Sequence, residues 1–156
     1  MKKKWKSLIV CLVIPLAVGA LSAVLSGGGM QVFSDLEQPP LSPPGWLFPV
    51  VWTILYLLMG YASWLVLTSE ADRHKIRQAL TVYGLQLAVN FFWSIIFFGA
   101  GLYLFAFLWL VLLWILIVWT MARFYEIRQT AGELLLPYLL WVTFAGYLNF
   151  AIYLLN

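Results

Sequence analysis

Charge is what this sequence has least of. Nine Lys and Arg with six Asp and Glu supply 10% of its 156 residues, while 64% are hydrophobic. Soluble domains carry about 25% charged and about 45–50% apolar residues. A chain this short cannot hide so much apolar surface in a core of its own, so water is excluded as its main solvent and a lipid bilayer is required. A single cysteine, Cys11, excludes an intramolecular disulfide. It lies in an apolar run and reads as a buried, inert thiol. The one histidine, His74, stands among charged residues, and no His, Cys and carboxylate spacing suits a metal site. The basic residues form no stripe that would follow a phosphate backbone, which argues against a nucleic-acid partner.

Long apolar runs are there in place of charge. A bilayer core of ~30 Å needs about 20 apolar residues of helix. Five segments qualify: Ser7–Ser26, Trp46–Thr68, Leu80–Phe98, Tyr103–Phe124 and Leu134–Leu155. The fold class expected is an all-α integral membrane protein, one domain over residues 1–156 built as a five transmembrane helix bundle. No span contains Asp or Glu, and Arg123 is their one basic residue. The breaks are a long Gly/Pro loop at 27–45, the charged SEADRHKIR, the short GAG at 99–101, and YEIRQTAGE. GAG is so short that the third and fourth helices must form an antiparallel hairpin. Pro137 falls in the first turn of the fifth helix, where a missing N–H costs little. The start MKKKWK with its apolar run also has the outline of a secretory signal, but the run is longer than the ~7–15-residue core of such signals.

Charge placement sets the topology. With five crossings, Lys2, Lys3, Lys4, Lys6, Arg73, Lys75, Arg77, Arg123 and Arg128 all fall on one side and no Lys or Arg on the other. Basic flanks stay cytoplasmic. The expectation is a multi-pass cell-membrane protein with its N-terminus inside, and with the first loop and the C-terminus outside.

Helices in lipid associate through small and polar residues. On the third span Tyr83, Gln86, Asn90, Ser94 and Phe97 share one face. The fifth carries Tyr138, Trp141, Ala145, Asn149 and Ile152, and the second Trp52, Tyr56, Gly60 and Ser63. These stripes are expected to converge. Hydrogen bonding between helices and a ligand pocket with a few orienting polar groups both fit their spacing. The fourth span differs: Phe105, Phe107, Trp109, Trp114 and Trp119 come with almost no polar residue, so most should face lipid or another subunit. On the first, Gly19-x-x-x-Ala23 permits close approach within the bundle or across a dimer. The loop carries Pro39, Pro40, Pro43 and Pro44. Paired prolines restrict the chain before it binds anything, so the segment is expected to be a stiff lid hinged near Gly27–Gly29.

Three motifs then carry a resemblance: LEQPPLSPPGWLFPVVWTILY, QLAVNFFW and LLPYLLWVTFAGYLN. They are similar to motifs of the TspO/translocator-protein family, the tryptophan-rich sensory proteins or peripheral benzodiazepine receptors, and the likeness spans residues 7–156. It implies a five-helix bundle, commonly a homodimer, with a pocket below the first loop that binds porphyrins such as protoporphyrin IX. Some bacterial members are reported to degrade that porphyrin in light with two pocket tryptophans, which by motif match Trp52 and Trp141. Asn90 matches the pocket asparagine. Phe48, Tyr56, Gln86, Trp93, Tyr138, Phe144, Ala145 and Leu148 occupy neighbouring ligand-binding positions. No cofactor is implied, and the expected guest is a free-base porphyrin or another hydrophobic small molecule, because no His or Cys is placed to ligate haem iron.

The chain departs from the family at Phe33, Gln38 and Leu41. They stand where a polar-edged aromatic, a lysine and a second tryptophan are common. After Tyr153 the basic residue of the proposed cholesterol motif is missing, so no dedicated cholesterol site is expected there. Three readings follow from the resemblance: a porphyrin receptor with or without light-dependent degradation, a transporter or sensor of hydrophobic ligands, and a structural partner. The sequence has no nucleotide-binding motif and no intramembrane carboxylate for proton coupling, which counts against active transport.

Overall fold

The computed structural model describes residues 2–27 and 34–156. Five long helices carry the chain: α1 (Lys2–Leu25), α2 (Leu47–Leu67), α3 (Arg73–Ser94), α4 (Tyr103–Ile127) and α5 (Leu136–Leu155), with a short helical segment, Gln129–Glu133, before the last. All five are long and apolar enough to cross a membrane. The expected all-α, five-span architecture is what forms.

Several boundaries extend past the apolar runs. The segment from Arg73 is already helical, because the Asp72 carboxylate accepts the His74 N–H at 3.5 Å and so supplies an acceptor that the first turn lacks. α4 runs on to Ile127 and stops where Arg128 becomes extended (φ −152°). Pro137 sits in the first turn of α5. The α3–α4 hairpin turns at Gly101, whose φ of +68° a Cβ would oppose. Before that turn, Ile95–Gly99 widens into a π-helical turn, with Ala100 N–H bonded to Ile95 O at 2.9 Å.

α3 pairs most closely with α4, α1 with α2, and α4 with α5. The α1–α2 contact has a specific cause. Pro15 has no N–H to give the carbonyl four residues back, which belongs to Cys11. That carbonyl lies against Gly60: a Cβ added there would come within 2.5 Å of Cys11 O and 3.0 Å of Leu12 Cα. The small residues of α1 are thus used inside the bundle. Gly19 faces the ring of Tyr56 so closely that a Cβ there would collide with it. α2 and α5, by contrast, meet through large rings, Phe48 on Trp141 (5.8 Å between centroids) and Trp52 on Tyr138 (6.2 Å).

Phe105, Trp114 and Trp119 are exposed on α4, as a lipid-facing helix requires. Trp109 departs from that pattern in being half-buried: its indole N–H donates to Val89 O at 2.7 Å, while that of the exposed Trp114 reaches Thr143 Oγ1 at 2.9 Å. A carbonyl within reach outweighs a lipid contact, since an N–H in hydrocarbon has no other partner.

Candidate functional site

The site lies in the half of the bundle away from the basic residues. There a cavity of about 470 Å³ opens between the C-terminal half of α1, the N-terminal half of α2 and the C-terminal end of α3. Small-molecule sites usually span about 300–1,000 Å³. Its aromatic walls are Trp52, Tyr56, Trp93, Phe48 and Phe98, facing a flat side made by Gly19, Ala20 and Ala23. Trp52 stacks on Tyr56 (5.6 Å, 29°) and leans on Trp93 (6.4 Å, 37°). Trp93 is held in turn by Asn149: its indole N–H donates to Asn149 Oδ1 at 3.1 Å, and Asn149 Nδ2 donates to Tyr103 O at 2.7 Å.

The three polar stripes converge behind this wall. Tyr56 O–H donates to Asn90 Oδ1 at 3.4 Å, Asn90 Nδ2 to Tyr138 Oη at 2.6 Å, and Tyr138 O–H to Gln86 Oε1 at 2.7 Å. Gln86 is 1% exposed and its Nε2 finds no acceptor. The chain of bonds therefore runs from the cavity wall at Tyr56 into the core and ends in an unused donor. Polar stripes that satisfy one another and a pocket that they border are both present here.

The two tryptophans singled out by motif do not share this space. Trp52 lines the cavity, and Trp141 lies beyond Phe48, which meets it edge-on. Trp141 and Phe144 border an open groove between α2 and α5, together with Leu140 and Ile54. The indole N–H of Trp141 has no acceptor. Ala145 and Leu148 pack against Phe48 and Trp93 around a void of only about 10 Å³. Phe48 borders the cavity and this small void, and its ring stands as a partition on the side where Trp141 lies. Of the sequence-derived candidates, then, Phe48, Trp52, Tyr56, Asn90 and Trp93 line the cavity. Gln86 and Tyr138 stand behind it, and Trp141, Phe144, Ala145 and Leu148 lie across the partition.

The Pro-rich segment is tied to the end of α5. Tyr147 O–H donates to Pro40 O at 2.8 Å, and Asn156 brackets Glu37, accepting its N–H at 3.3 Å and donating to its carbonyl at 3.1 Å. Pro39 is buried. Pro44 O and Gly45 O accept the N–H groups of Leu47 and Phe48, so the segment runs directly into the first turn of α2. Of the expected hinge, Gly28 and Gly29 lie outside the described residues, as does Phe33. Leu41 is 82% exposed with a φ of +72°, at the third position of a turn closed by Ser42 N–H on Pro39 O (3.3 Å). Glycine suits that position. Leu41→Gly should therefore raise stability by about 0.5–1 kcal/mol, read as a higher thermal midpoint, and a lower midpoint would refute the strain.

The family model described as TspO/MBR matches residues 11–155. The chain belongs to the TspO/MBR family. It is 41% identical to the tryptophan-rich protein TspO of Chlorobaculum tepidum over all of this chain and 99% of that one. It is 36% identical to protein CrtK of Rhodobacter capsulatus over 88% of this chain and 85% of that protein. The human translocator protein is 35% identical over 85% of this chain and 79% of its own length. The TspO/MBR assignment makes this a multi-pass membrane protein of translocator or sensory type. Sequence reasoning missed the α1 wall of the cavity, which Gly19, Ala20, Ser22, Ala23 and Ser26 help build. Their small-residue spacing was visible, but it points only to close approach.

Proposed function

We propose that this TspO/MBR protein is a membrane receptor for tetrapyrroles or flat hydrophobic molecules of similar build, held in the cavity between α1, α2 and α3. The observation that carries this reading is the cavity itself, with Trp52, Tyr56 and Trp93 on one side and glycine and alanine on the other. Such a slot suits a planar ring system, which gains most by stacking on indole and phenol faces. Among the described residues, those lining it include no His, Cys, Asp, Glu, Lys or Arg, so a free-base ring fits its donor set better than a metal-ligated one. In this reading the basic end is cytoplasmic, and the Pro-rich segment covers the site from the opposite side as a lid.

A bound porphyrin excited by light would take an electron from the adjacent Trp52 indole and pass it to dioxygen, giving superoxide and an indole radical. The radical would then take an electron from the porphyrin, so that Trp52 is restored, the porphyrin is oxidised and dioxygen is the oxidant. The test is absorbance of protoporphyrin IX with the purified protein, in light and in darkness. Saturable binding is expected, with light-dependent loss reduced about tenfold or more (over 1.4 kcal/mol) in Trp52→Phe and much less in Trp141→Phe, which Phe48 screens. Saturable binding without loss would leave a sensor or transport module. Absence of saturable binding would remove the receptor reading for porphyrin.

A further inference from the structure

We propose that the cleft at the turn between α2 and α3 holds the headgroup of an anionic phospholipid of the phosphatidylglycerol type, from the leaflet that meets the basic end of the bundle. The site is separate from the cavity and independent of the receptor reading. The end of the bundle away from the cavity carries all nine Lys and Arg against Glu70, Asp72, Glu126 and Glu133, a formal +5. A cleft of about 690 Å³ opens there between the last residue of α2, the loop after it and the first turns of α3. Arg73 and Arg77 line it from α3, four residues apart and so on one face.

Both guanidinium groups are uncommitted. Arg123 pairs with Glu126 at 3.6 Å, but among the described residues neither Arg73 nor Arg77 has an ion pair or a side-chain hydrogen bond. The nearby carboxylates do not supply one. Asp72 accepts the His74 N–H as the cap of α3, and Glu70 lines the cleft without pairing with either arginine. The hydroxyls of the cleft are used within the protein: Ser69 Oγ donates to Val66 O at 2.8 Å and Thr81 Oγ1 to Arg77 O at 2.7 Å. What the cleft holds out to an anion is two planar forks of N–H donors, a geometry that suits the paired oxygens of a phosphate.

The apolar residues decide between a lipid and a dissolved anion. Ile76 and Leu80 share the arginine face and pack on the core, and the exposed Leu67 lines the same cleft from α2. Charge first and aliphatic side chains next, toward the span, is the order of a phospholipid from phosphate to acyl chain. Basic pockets at this level of a membrane protein are headgroup sites for that reason. Glu70 narrows the choice. With Arg73 and Arg77 it leaves the cleft at a formal +1, which one phosphodiester balances, and its carboxylate can accept the hydroxyls of a glycerol headgroup. Phosphatidylethanolamine would offer Glu70 an ammonium but no net charge, and choline offers no donor.

The test is native mass spectrometry of the full chain released from detergent, titrated with phosphatidylglycerol, phosphatidylethanolamine and phosphatidylcholine. Phosphatidylglycerol is expected to bind about tenfold more tightly than either of the others. In Arg73→Gln/Arg77→Gln the preference should fall to about threefold or less. Lys4→Gln/Arg128→Gln removes as much charge from the same end at exposed positions and should keep it. Excess glycerol 3-phosphate should not displace the lipid. Equal affinity for the three lipids in the native chain would overturn the proposal. A preference lost equally in both double variants would overturn it too, by making the effect one of overall charge. Displacement by glycerol phosphate would overturn it in favour of a dissolved anion.

Discussion

Gly60→Val should lower the thermal unfolding midpoint of the detergent-solubilised protein by roughly 6–12 °C, the equivalent of about 2–4 kcal/mol. The reason is that nothing at this contact can yield. The atoms a side chain at Gly60 would strike are Cys11 O, Leu12 Cα and Cys11 C, all backbone of α1. A flexible side chain could turn aside, but here a whole helix must move. α1 is also the span with the least of its surface buried in the bundle, so it has few other contacts to hold it. Gly60→Ala should show a smaller loss, about 1–3 kcal/mol, because one methyl needs a smaller displacement. At Gly19 the obstacle is the ring of Tyr56, which can rotate, so Gly19→Ala should cost less stability and act on the cavity wall instead. Tryptophan fluorescence during heating gives the midpoints. Equal midpoints for native protein and Gly60→Val would show that α1 does not rest on α2 at Cys11.

That contact also shows how far the sequence could be read. Five spans follow from run length and the near absence of charge, because lipid admits few alternatives to a helix. The hairpin after GAG follows from its length. Pro15 and Gly60 are each visible in the sequence, but which carbonyl of α1 meets which glycine of α2 is set by helix rotation and offset, and no local pattern encodes those. The site divides in the same way. The periodic placement of Tyr56, Asn90, Gln86 and Tyr138 announced a polar meeting point, and hydrogen bonds between them now link three helices. That Phe48 would stand between Trp52 and Trp141 was not legible, since it depends on the orientation of one ring at the start of α2. The α1 wall was overlooked for a related reason: a face of glycine and alanine looks the same whether it admits a neighbouring helix or a ligand.

Tyr138→Phe should separate the structural from the binding role of that polar meeting point. The substitution keeps the ring against Trp52 and removes one oxygen. Gln86 Oε1 then loses the O–H it accepts, and Asn90 Nδ2 loses its acceptor. Gln86 Nε2 already has no partner, so the amide would be left without a protein hydrogen bond in a fully buried position. Two unsatisfied groups in a soluble core would cost about 1–3 kcal/mol each. Hydrogen bonds between membrane helices measure weaker, about 0.6 kcal/mol on average and at most about 1.7, because the unfolded helices in lipid also find partners. The expected loss is therefore about 1–2 kcal/mol, roughly 3–6 °C in midpoint. Gln86→Leu added to Tyr138→Phe should recover part of it, since removing both partners is milder than orphaning one. The same change frees Asn90 Nδ2, on the cavity wall beside Tyr56, to turn toward a guest. Porphyrin affinity in Tyr138→Phe should hold or rise while stability falls. If affinity falls in step with the midpoint, the polar chain and the cavity act as one unit, and the division drawn here between a supporting network and an aromatic slot is wrong.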